Sequence, residues 1–80
     1  MDAAAAFGKV LRRLRNAEGL TQEELGFEAD LRRTYVSILE LGEQQPSLTT
    51  ILKLAKALNS SAREIIGMTE AELNKRRNKV

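Results

Sequence analysis

Apolar residues recur at three- and four-residue intervals along most of the chain and never alternate over a strand-length run. Phe7, Val10, Leu11 and Leu14 form the first stripe and predict an amphipathic helix from about Ala3 to Glu18. Asp2 is placed to cap it, and Gly19 to end it in the left-handed conformation. "TQEE" opens a second helix after Thr21 as a capping box, with Glu24 three residues on. Glu23 and Glu24 also suit the positive end of that helix, and Leu25 and Ala29 face inward. Asp30 marks a break where glycine is usual, because aspartate tolerates a positive φ at modest cost. Leu31 then re-enters the core. A third helix is expected over about Arg33 to Leu41, with Val36 and Leu39 inward and Gly42 at its end. "EQQPS" reads as a loop. Ser47 caps a fourth helix over about Leu48 to Leu58, whose apolar side is Leu48, Ile51, Leu52, Leu54, Ala55 and Leu58. "SARE" is a second capping box and opens a short fifth helix carrying Ile65 and Ile66. Beyond Gly67, Thr69 and Glu72 form a third box, which predicts one or two further turns and a frayed basic end. The fold class is therefore all-α: a compact bundle of about five short helices, with a domain over 1–67 and a C-terminal extension over 68–80.

Composition narrows the function. Eighty residues make one domain, and a chain of this size buries only about 60% of its unfolded surface. With no Cys and no His, disulfides, a thiol nucleophile, the usual zinc ligands and an imidazole base are all excluded. No phosphate-cradling glycine loop, nucleophile elbow or carboxylate metal cluster is visible, so neither an enzyme nor a cofactor is expected. No apolar run reaches the length of a membrane span and nothing resembles a signal peptide, so a cytoplasmic location is expected. The net charge of +2 and pI near 9.3 are only mildly basic. The placement of the charges therefore carries more information than their sum.

Two short helices joined by a turn of about three residues, with Gly26 where they approach, make a helix-turn-helix over about 21–41. The third helix turns its start and one outer side to solvent. Arg33, Thr34, Ser37 and Ile38 lie there, at offsets that share one side of a helix. A helix of this width fits the major groove of B-DNA. The plainer reading of "RRTY" is a solvated helix start, and spacing alone does not separate the two.

At this point the sequence resembles the phage-repressor-like, or XRE-type, helix-turn-helix regulators. The resemblance is carried by "GLTQEEL", "RRTYVSILELG", "PSL" and "ILKLAKALN", and covers about Phe7 to Ile66. Within that family, "RTY" followed by "LELGE" and "PSL" looks most like the restriction–modification controller proteins. The resemblance implies a lambda-repressor-like fold and a transcriptional regulator that binds double-stranded DNA as a homodimer. It also implies the following residue roles. Arg33, Thr34, Ser37 and Ile38 match base-facing positions, while Gln22, Arg32, Tyr35, Gln44 and Gln45 match positions that meet backbone phosphates. Arg15 and Glu40 match a buried ion pair, although spacing alone would equally pair Arg15 with Glu18 on the surface. Ile65, Ile66, Met68 and Leu73 are candidate dimer contacts, with intramolecular core as the alternative.

Several positions depart from the family pattern. Asp30 replaces the turn glycine, and Arg32 replaces the usual Ser or Thr cap. Ile38 and Leu41 replace residues that are frequently polar or basic, and Glu43 stands where Lys or Arg is common. Phe27 falls at a usually polar position and fits an exposed aromatic, a packing plug or an interaction point. The competing function is a protein-interaction module, an antitoxin or adaptor, on the same fold.

Overall fold

The computed structural model describes residues 1–77. Its helices are α1 (Ala3–Ala17), α2 (Gln22–Ala29), α3 (Arg33–Glu40), α4 (Leu48–Ala57) and α5 (Ala62–Arg77), with no strand among the described residues. Most of them start where a side chain takes an orphan amide. The Asp2 carboxylate accepts from the Ala5 amide at 2.8 Å, and Ser47 Oγ accepts from the Thr50 amide at 3.1 Å. Thr21 with Glu24, and Ser61 with Glu64, form reciprocal capping boxes. The breaks fall at left-handed residues: Gly19, Asp30, Gly42 and Asn59, with φ of 72°, 58°, 75° and 55°. Asn59 is the one not expected from the sequence. Its side-chain amide donates to Glu18 at 3.2 Å, joining the α1–α2 turn to the end of α4.

The core is shared by all five helices. Phe7, Val10 and Leu11 of α1 meet Leu25 and Ala29 of α2, Val36 and Leu39 of α3, Leu54 and Ala55 of α4 with Leu58 beyond it, and Ile65 of α5. Leu14, Leu20, Leu31, Tyr35 and Met68 pack around this set partly covered. α1 lies against α3 and α5, and α2 against α3 and α4.

Two backbone approaches fix where α3 sits. A Cβ at Gly8 would come within 2.5 Å of the Leu39 carbonyl oxygen and 2.6 Å of that of Glu40. A Cβ at Gly42 would meet Ala5 Cα at 2.8 Å. The C-terminal end of α3 therefore rests on the main chain of α1. Gly26 serves the turn, since a Cβ there would lie 2.6 Å from the Leu31 carbonyl oxygen.

Four expectations are corrected. Leu48 and Leu52 belong to no core: they are 72% and 54% exposed, because α4 carries more apolar residues than the one side that meets α2 and α5. Ile65 is fully enclosed, so it presents nothing to a second chain. The helix does not stop at Gly67: α5 runs unbroken through it. Thr69 and Glu72 are helix interior rather than a capping box. Thr69 Oγ1 donates to the Ile65 carbonyl at 2.8 Å. Glu72 Oε1 accepts from Arg13 Nη2 at 3.0 Å, across 59 residues of sequence. That hydrogen bond, aided by nearby Lys75, holds the Glu72 carboxyl below its ordinary range. The last residues of the basic end, at 78–80, lie outside the described residues.

Gly67 has open space where a Cβ would be. Gly67→Ala is expected to stabilise the fold by about 0.5–1 kcal/mol, since glycine is a poor helix former without a packing reason. A urea-unfolding midpoint checks this.

Candidate nucleic-acid interface

α3 begins without help. Its N-cap Arg32 is extended, at φ −73° and ψ 144°, and provides no side-chain cap. Asp30 does not substitute, for its carboxylate lies 3.8 Å from Lys53 Nζ instead. No acidic residue occupies the first turn. Arg32 and Arg33 thus put two cations at the positive end of a helix whose first amides are bare. Each opposes the dipole by about 0.3–1 kcal/mol, and the absent cap costs about another 1 kcal/mol. A helix start built for stability alone would carry the reverse charge. Arg32→Ser is accordingly expected to raise unfolding free energy by about 1 kcal/mol, read by thermal or urea denaturation.

The expected base-facing set is divided by exposure. Arg33 and Thr34 stand in solvent, whereas Ser37 and Ile38, one turn on, are half-buried. Tyr35 leans on the core with part of its ring exposed. Gln44 and Gln45 are exposed in the loop between α3 and α4. Leu41, at the end of α3, is 67% exposed.

Gln22 opens α2, where the helix dipole and unspent amides attract an anion. Its side chain is not free: Nε2 donates to Glu40 Oε1 at 3.1 Å. Glu40 is the last residue of α3, and its side chain is only 4% exposed. Arg15 of α1 reaches the same carboxylate, Nε to Oε2 at 2.6 Å and Nη2 to Oε1 at 3.0 Å. Arg15 Nη1 also donates to the Leu20 carbonyl at 2.9 Å. The bonds to Glu40 hold the guanidinium firmly protonated, above its ordinary value. The Gln22 and Leu20 bonds had no signal in the sequence, because they join residues with no shared local spacing.

α2 has a different character. Glu23, Glu24, Glu28 and Asp30 are exposed, and Phe27 stands 84% in solvent. Among the described residues, no cluster of three or more Asp or Glu could hold a metal ion. No described helix is long and apolar enough to cross a membrane.

The helix-turn-helix family model matches residues 11–65. Control protein C.BamHI of Bacillus amyloliquefaciens is 39% identical over 64 residues, covering 79% of this chain and 79% of that protein. The HTH-type transcriptional regulator y4dJ of Sinorhizobium fredii is 37% identical over 70 residues, covering 88% and 91%. The crystal structure of the restriction–modification controller protein C.AhdI from Aeromonas hydrophila superposes with a TM-score of 0.76 at 48% identity, over 78% of this chain and 94% of that one. With the turn, the helix pair and the exposed start of α3 in their places, the chain belongs to the XRE-type helix-turn-helix family of transcriptional regulators.

Proposed function

We propose that this chain controls transcription by binding a palindromic operator in double-stranded DNA as a homodimer, in the cytoplasm, with α3 in the major groove. One observation carries the reading: the uncapped, doubly cationic start of α3 is unfavourable by itself and becomes favourable against an anionic partner rich in acceptors. Arg33 is the residue suited to pair with both acceptors of a guanine. Thr34 and Ile38 offer methyl groups to thymine, and Ser37 donates or accepts. Arg32, Tyr35, Gln22, Gln44 and Gln45 serve the phosphates and set the register. The acidic outer residues of α2 are repelled by DNA, which favours an approach led by the start of α3.

One such domain touches few base pairs, so a second copy supplies the other half-site. Leu48 and Leu52 on α4 and Ile66 on α5 are the exposed large apolar residues suited to that contact. Met68 and Leu73, partly covered, flank it at most.

Selection of bound duplexes from a random-sequence library at moderate salt tests the reading. The expected product is a palindrome with half-sites about 34 Å apart. Binding to it should weaken with salt at a log–log slope of about −0.9 per phosphate neutralised. Uniform weak binding with no enriched sequence would overturn it.

A further inference from the structure

The contact between Gln22 and Glu40 has a chemical polarity that bears on how Gln22 meets DNA. A carboxylate only accepts. The two ends of a glutamine amide are nearly the same size, so shape alone does not choose between them. Glu40 does choose: its Oε1 holds the nitrogen end of Gln22 at 3.1 Å and would repel the oxygen end. Its own orientation is fixed in turn by the two-pronged bond from Arg15 and by burial. One hydrogen of Gln22 Nε2 is spent on Glu40, and the second remains to donate. It does so at the start of α2, where the capping box has used the amides of Thr21 and Glu24 and those of Gln22 and Glu23 remain available.

We infer that Glu40 is a positioning residue for DNA binding: it locks the Gln22 amide so that only its N–H end meets the backbone phosphate at the start of α2. Because Glu40 closes α3, one carboxylate ties the phosphate contact of α2 to the placement of the recognition helix. The inference rests on the DNA reading above. Without Glu40 the Gln22 side chain regains its rotamers and both amide orientations, one of which points an oxygen at an anion. The loss expected from that freedom is roughly tenfold in affinity. It falls equally on all sequences, because a phosphate contact positions and does not specify.

The test is a cycle of Glu40→Gln and Gln22→Ala, measured as affinity for the selected operator duplex, with circular dichroism confirming the fold of each variant. Glu40→Gln is expected to weaken binding about tenfold in the parent chain and to have almost no effect once Gln22 is alanine. An equal loss in both backgrounds would mean that Glu40 acts only through the fold, and overturns the inference. Should Glu40→Gln fail to fold, Glu40→Asp takes its place. It keeps a carboxylate but draws it back by one methylene from Gln22 and Arg15 alike, and the same coupling is expected in the folded variant. A parent chain that binds no duplex overturns the DNA reading and this inference together. A parent chain that binds while the cycle is additive overturns this inference alone.

Discussion

Arg33→Ala is expected to lower affinity for the selected operator by about 1–3 kcal/mol, roughly 10- to 200-fold, while binding to unrelated duplex falls far less. Competition titrations against operator and scrambled duplex at one salt concentration read the two losses separately. The helical circular-dichroism signal should be unchanged, because Arg33 is exposed and makes no ion pair or side-chain hydrogen bond among the described residues. Removing a cation from the positive end of α3 should even favour the fold slightly. Equal losses on both duplexes would make Arg33 a phosphate contact rather than a reader. No loss on either would leave its unfavourable placement without a function.

Gly8→Val is expected to abolish folding, and Gly8→Ala to cost several kcal/mol. The added Cβ would sit 2.5 Å from one main-chain oxygen of α3 and 2.6 Å from the next. Such contacts cannot be relieved by turning a side chain. α1 and α3 must separate, and the packing of Phe7, Val10 and Leu11 against Val36 and Leu39 opens with them. Overpacking a core ordinarily costs about 1–3 kcal/mol, and a clash with backbone belongs at or above that range. A domain of this size has about 5 kcal/mol or less in reserve. Loss of the cooperative urea transition would mark the effect. A Gly8→Ala chain with an unshifted midpoint would contradict the close approach.

What the sequence made legible was local. A capping box is complete within four residues, so the starts of α2 and α5 could be read from it. The stops at Gly19, Asp30 and Gly42 follow from which residues tolerate positive φ. The helix-turn-helix and the exposed side of α3 follow from periodicity once those ends are fixed. The errors came where a distant partner overrode a local signal. Thr69 and Glu72 have the spacing of a cap, yet α5 runs through both and Glu72 is held by Arg13 on α1. Leu48 and Leu52 have the spacing of core residues, yet α4 turns a different side inward. Gly8 is a single small residue inside a helix, and only the path of α3 shows its purpose. The bond between Gln22 and Glu40 needed three helices in place before it could be seen.

The seating of α3 on α1 includes main-chain approaches at Gly8 and Gly42, and the solvent-exposed Arg33 and Thr34 take no part in those approaches. Mount and reading head are therefore separable. On the proposed reading, substitutions at 33, 34, 37 and 38 would exchange one operator for another while the mount stays in register. Drift at these two glycines would silence every version alike. A population of such proteins can diversify its targets quickly along one short helix, and its tolerance for change elsewhere is set by the space between two backbones.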